Sequence, residues 1–410
     1  MKKVNYFITI SLAAVVIGLT TAADRAQDDF VVHEWGTFTS VQGGDGKLLL
    51  WHPLQTSELP SFVHQGFIPK GGFNGPAALQ RMETPVIYFY TGKNLNVDVG
   101  VNFPKGTITE WYPRTTQTNS SAMAGDHAAW KNLKLIASAH IDSKLDDLLP
   151  QLQSGSRYYA AREPDSDFVQ AEAINATNAT TETEKFIFYR GLGNFHTPLQ
   201  VTTDENNFVT VQNNGDDQIP RLFLVSIHGK QGAFVSMGGL PSKASVAWQS
   251  LDAGALHPLP LEQFQTQIVS EMKTALIHEG LFPQEAQAMV DTWRDSWFAE
   301  EGDRVLYLLP RTWTDETLPL TIEPKPPKLV RVMVGRAEIL APRVEQHLLD
   351  SLVSAANGRS DDHKAVISEL KSFGRFSGPA LRLATTENSS TNVQMLGDQL
   401  LFQSEYSGFK

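Results

Sequence analysis

Apolar side chains recur along this chain with two different periods, and the change from one to the other falls near Pro258. Before it, apolar and polar positions alternate or gather into short β-branched and aromatic runs. Positions 84–91 (TPVIYFYT) are such a run and predict a strand covered on both faces. Positions 95–103 (LNVDVGVNF) alternate strictly, the pattern of a strand with one buried face. Gly92, Lys93 and Asn94 between them predict a hairpin turn, and 104–106 turns the chain into a further strand at 107–112. More strands are predicted near 132–138, 184–190, 207–212, 221–228 and 232–237.

Beyond Pro258 the period becomes helical. Leu261, Phe264, Ile268, Met272 and Leu276 recur at three- and four-residue spacing, and Gly280 stands where a helix would stop. Pro283 suits the first turn of a second helix, whose stripe is Ala286, Met289, Val290, Trp293 and Trp297. A helical hairpin over 261–299 follows. Strands are expected again at 304–309 and 329–334, separated by the stiff proline-rich segment 323–327. Helices are predicted at 343–356 and at 361–373, the second capped by Ser360, and the run at 399–403 predicts a closing strand. Segregated strands and helices define an α+β class: an antiparallel sheet or sandwich core, a helical hairpin and a mixed C-terminal region. The expected division is a leader at 1–23, a β-rich domain at 24–257 and a mixed region at 258–410 packing on it.

The leader rests on Lys2 and Lys3, an apolar stretch at 6–19 that is short for a bilayer span, and small residues at 21–23 suited to cleavage. It predicts export to the periplasm or beyond, with no stable membrane anchor once it is removed. The formal charge is −11, and losing Lys2 and Lys3 makes it more negative. An acidity spread along the chain argues against nucleic acid as a partner. The absence of cysteine removes disulfides, thiolate nucleophiles and Cys-ligated zinc. Any divalent cation would have to be held by His and carboxylates, with His33 and Asp167 as the candidate ligands.

Four groups of residues carry candidate chemistry. In His33-Glu34-Trp35-Gly36, strand alternation sends His33 and Trp35 to one face and Glu34 to the other. A Glu inside a strand is costly unless it is paired or working. The zinc-protease spacing HExxH is absent. A second group, 158–167, gathers Arg162, Glu163, Asp165 and Asp167 beside two tyrosines. The third comprises Glu83 at the mouth of the first buried strand, and Glu110 next to Trp111 and Tyr112. Rings beside carboxylates are a common way of holding sugars. The fourth is Arg190, at the end of a strand opening into a Gly-bearing turn, suited to grip an anion.

Two function classes fit. One is an exported hydrolase or lyase acting on a polysaccharide or related polymer, with acid and base drawn from Glu34, Glu83, Glu110, Glu163 and Asp165. Trp35, Trp111, Tyr112 and Arg190 would bind the substrate. The other is a non-catalytic envelope or extracellular module binding a glycan or a protein.

Overall fold

The computed structural model describes residues 30–53, 59–66, 77–121, 125–138, 146–172, 181–250, 256–358, 360–386 and 390–407. The leader expected at 1–23 lies outside them. The first strands are β1 (Val31–Gly43), β2 (His64–Gln65), β3 (Gln80–Tyr90), β4 (Leu95–Phe103), β5 (Gly106–Tyr112), β6 (Gln117–Ser121) and β7 (Gly125–Ile136). A short helix, α1 (Tyr158–Ala161), precedes β8 (Phe168–Glu172), β9 (Thr181–Glu184) and β10 (Ile187–Gly193). Then come β11 (Leu199–Thr203), β12 (Phe208–Asn213), β13 (Ile219–His228), β14 (Gln231–Leu240), β15 (Ser245–Ser250) and β16 (Leu259–Pro260). The predicted hairpin is present as α2 (Leu261–His278) and α3 (Pro283–Phe298). Last are β17 (Gly302–Leu308), α4 (Arg311–Thr317), β18 (Leu320–Glu323), β19 (Lys328–Leu340), α5 (Pro342–Ala356), α6 (Ser360–Ser372), α7 (Ser377–Thr386) and α8 (Thr391–Ser407).

The fold is α+β and β-rich. Ten strands share one sheet in the order β16-β14-β13-β17-β19-β1-β3-β10-β5-β2. Its central pair, β1 and β19, is parallel, with Val31 opposite Lys328 and Gly43 opposite Leu340. The other pairings in this sheet are antiparallel. The boundary expected near residue 257 runs through the sheet, because β17 and β19 from beyond it stand between β13 and β1. A six-stranded sheet (β18, β4, β7, β8, β9, with β6 on β7) and a three-stranded one (β11, β12, β15) complete the β structure.

Strand alternation gives the large sheet two apolar faces, as full burial demands. Val32, Phe38, Ile87, Phe89 and Met333 pack against the smaller sheets, around Val101 and Trp130. Trp35, Tyr88, Phe188, Phe223 and Leu306 face the stripe of α2 and α3, including Phe264, Ile268, Met289 and Trp293. A third core joins Val41 and Leu340 to α5–α8. The closing strand expected at 399–403 is instead the middle of α8. Val393, Leu396 and Leu400 recur at helical spacing and are buried beside Ala380 and Leu381 of α7. Among the described residues no helix is long and apolar enough to cross a membrane.

Close packing between neighbouring strands makes one prediction. Gly335 of β19 lies opposite Tyr307 of β17, and a Cβ added there would sit 2.2 Å from the tyrosine ring. Gly335→Ala is expected to cost about 1–3 kcal/mol through overpacking, read as a lower midpoint of urea unfolding. An unchanged midpoint would mean that Tyr307 shifts without penalty.

Candidate functional site

Glu34 is fully buried, on the sheet face opposite His33 and Trp35. Arg331 donates to it across the β1–β19 pair at 2.5 Å, and the Tyr189 hydroxyl donates a short hydrogen bond to its other oxygen. Burial and the Glu34 charge together push the Tyr189 hydroxyl well above its ordinary pKa. His33 is equally buried, its Nδ1 2.7 Å from Glu285 of α3, which also accepts from the Tyr90 hydroxyl at 2.7 Å and from the Phe282 N–H at 2.7 Å. Trp35 lies in the core beside Tyr88. These three side chains join β1 to its neighbours and to the helical layer, and none of them lines a described cavity.

The acidic loop is dispersed. Glu163 and Asp165 are exposed, while Asp167 is buried and accepts from the Ser138 N–H at 2.9 Å. Arg162 grips Glu184 through two nitrogens, at 3.0 and 2.6 Å. Tyr112 is buried and Trp111 half-buried, on opposite faces of β5. Among the described residues no three His, Asp or Glu side chains converge to hold a metal ion, and His33 and Asp167 occupy separate sites.

Glu83 and Arg190 do meet. They line a cavity of about 210 Å³ with Arg81, Arg157, Ser296, Glu300 and Arg375. The local sequence explains the approach. Met82 of β3 faces the small-sheet side, so its neighbours Arg81 and Glu83 point to the helical side. In β10, Phe188 packs in the helical-side core and Tyr189 in the other, so alternation puts Arg190 on the helical side too, 5.6 Å from the Phe188 ring. Glu110 of β5 is directly opposite it across the strand pair. Arg157 comes from the residue before α1 and rests 5.5 Å from the Trp293 ring. Ser296 and Glu300 come from the C-terminal end of α3, and Arg375 from the turn between α6 and α7.

This polar pocket is built rather than incidental. Arg375 Nη1 holds both Glu83 oxygens at 2.9 and 3.1 Å, Arg81 Nε approaches one at 3.3 Å, and Thr39 donates to the other at 2.6 Å. Arg81 also donates to the Pro53 carbonyl, and Arg375 stacks over Trp51 and Phe376. Burial alone would push the Glu83 carboxyl up, but Arg375, Arg81 and Arg190 hold it far below the usual carboxylate range. Burial pushes Arg81 down to about 10, reinforced by Arg190 and Arg375 and opposed by Glu83. Burial likewise favours neutral Glu300, yet Arg336, Arg375 and Arg304 outweigh it and keep the group ionised.

The exposed carbonyls at the end of α3 help to seat these cations. Arg304 donates to the Ser296, Trp297, Glu300 and Glu301 carbonyls, and Arg336 to the Ser296 carbonyl at 2.7 Å. Four guanidiniums and two carboxylates line the cavity, with the buried Glu110 carboxylate close by on β5, opposite Arg190. Such an arrangement attracts and orients anions.

Sequence reading names Glu83 and Arg190 but misses Arg157, Ser296, Glu300 and Arg375. Each of the four sits at a helix start, a helix end or a turn, where no local pattern marks it. A larger cavity of about 420 Å³ lies between the edge of β17 and β19 and the helices α5 and α6. Its walls are mainly apolar, and its charged rim is paired internally, as in His228–Asp303 and His347–Glu369. The arginine pocket is the described cavity on which four guanidiniums converge.

No protein-family model matches this chain, and no curated protein matches it. Among solved structures it is similar to the Fcho1 Mu homology domain of Danio rerio with bound Eps15 peptide. The two share 8% identity at a TM-score of 0.31, over 77% of this chain and 99% of that one. At that level the likeness carries no argument about fold or function.

Proposed function

We propose that this chain is an exported binding protein for an acidic ligand, and that the arginine pocket recognises a compact anionic group on it. The ligand class is a charged glycan or another small acidic molecule, bearing a carboxylate, sulfate or phosphate. The observation that carries this reading is the convergence of Arg81, Arg157, Arg190 and Arg375 on one cavity. Guanidinium edges match oxyanions in geometry as well as charge.

The competing reading is hydrolysis or lysis of a polysaccharide by paired carboxylates. Paired-carboxylate hydrolysis needs one carboxyl that is protonated when the substrate arrives. Glu83 and Glu300 are the two carboxylates lining the pocket, and their arginine neighbours hold both in the ionised form. That weighs toward binding. Glu83 serves here to space and orient its arginines.

The test is a thermal-shift and calorimetric panel of acidic sugars, sugar phosphates and their neutral counterparts. Acidic members are expected to raise the unfolding midpoint, neutral ones to leave it in place, and added salt to weaken the effect. Arg190→Ala is expected to lower affinity for the acidic members about tenfold or more, the worth of one charge-assisted hydrogen bond. Equal responses to charged and neutral ligands would sink the proposal, and cleavage products in the same mixtures would restore the enzymatic reading.

A further inference from the structure

We propose that the cavity of about 420 Å³ beside α5 and α6 is a second binding site, for an uncharged aromatic molecule that carries a hydroxyl group. Its walls come from Gly302 at the start of β17, Ile339 and Leu340 at the end of β19, Val344 of α5, and Phe373 and Phe376 of the α6–α7 turn. Small-molecule ligands are held in largely apolar spaces of about 300–1,000 Å³, with a few polar groups to orient them. The two phenylalanines add ring faces and edges, against which another ring packs well.

The charged groups around this space answer one another, so the ligand needs no charge. Asp303 is buried and accepts from Ser226 Oγ at 2.6 Å and from Arg343 Nη2 at 2.7 Å, with His228 Nε2 3.1 Å away. Burial would push its carboxyl up, but His228, Arg343 and Ser226 hold it below its ordinary value. Glu338 is held by Arg336 at 2.7 Å and Arg304 at 3.1 Å, and Glu301 accepts from the Gly229 N–H at 3.1 Å. A charged ligand would have to compete with one of these contacts.

The two histidines supply the polar selection. Both line the cavity, and each has one ring nitrogen on a carboxylate: His228 Nε2 on Asp303, and His347 Nδ1 on Glu369 at 2.8 Å. A carboxylate only accepts, so that nitrogen carries the hydrogen. In a neutral imidazole the opposite nitrogen is then a lone-pair acceptor. Two such acceptors beside an apolar space favour a ligand that brings an O–H, which a phenol does and its methyl ether does not.

Equilibrium dialysis of the purified chain at about pH 8, where free imidazole is neutral, tests this with 2-naphthol, 2-methoxynaphthalene and 2-naphthoate. 2-Naphthol is expected to bind, and to bind more tightly than 2-naphthoate. The ratio of naphthol to methyl-ether affinity should fall about threefold to tenfold from the parent to His228→Phe/His347→Phe, the worth of one neutral hydrogen bond. Taking the ratio in both proteins cancels the greater hydrophobicity of the ether. His347→Phe alone, an exposed change, should show part of the same fall. Val344→Phe fills the space and should weaken 2-naphthol about tenfold or more. Ser372→Trp, at an exposed position on the same wall, should do so where Val344→Phe perturbs folding by circular dichroism. A ratio that is unchanged in the histidine variants overturns the proposal. So does tighter binding of 2-naphthoate, full binding in both filling variants, or no binding of 2-naphthol to the parent.

Discussion

Alanine at Glu34 is expected to lower the unfolding free energy by about 3–5 kcal/mol, the usual result of removing one partner from a buried ion pair. Arg331 is 1% exposed, and its remaining carboxylate partner is Asp315, 2.8 Å away and half open to solvent. Without Glu34 a guanidinium and the Tyr189 hydroxyl are left in the apolar interior between the sheets. Denaturant unfolding with a constant slope measures the loss. Replacing both partners, Glu34→Leu with Arg331→Met, should recover most of it, because desolvating the pair offsets much of what their attraction contributes. A single variant as stable as the parent would remove the structural role assigned here and return Glu34 to the pool of reactive carboxylates.

Glu83→Gln is expected to cost about 3 kcal/mol or more, since Arg81, Arg190 and Arg375 would then face one another with less compensation. It should also change the response to acid. Glu83, Glu300 and Asp303 are each held below their ordinary values, burial in every case opposing and nearby cationic partners prevailing. A carboxylate whose pKa is lower in the folded than in the unfolded state contributes stability that is complete above the unfolded value, near 4. That contribution is lost as pH falls through the folded value. The parent should therefore lose stability progressively below about pH 5, and Glu83→Gln should show a shallower slope there. Parallel slopes in the two proteins would mean that Glu83 titrates alike folded and unfolded, contrary to its arginine cage.

Most strands and the helical hairpin were legible because each is specified locally. Alternation at 95–103 and the three-and-four spacing from Leu261 to Trp297 report which face is buried, whatever lies against it. The failure at 399–403 has the same root. Leu400, Leu401 and Phe402 form an apolar run too short to show a period, and only Val393 and Leu396 further upstream reveal the helix. The parallel β1–β19 pairing had no local signature, since a strand's sequence does not name its distant neighbour. The pocket divides along the same line. Glu83 and Arg190 stood out as charges inside strands, where polar residues need a reason. Arg157, Ser296, Glu300 and Arg375 sit where polar residues are ordinary, and only the packing of α1, α3 and the α6–α7 turn on the sheet gives them a common destination.

The central ladder also governs when this polypeptide can acquire its shape. Val31 and Lys328 lie side by side although 297 positions separate them, so closing that loop carries a large entropic penalty and the middle of the sheet is zipped late. Hairpins such as β13–β14 and the α2–α3 pair can assemble early, but β1 has one edge open until the ribosome has delivered β19. Synthesis halted anywhere before Lys328 leaves an apolar strand with a bare edge, a template for aggregation and a target for proteolysis.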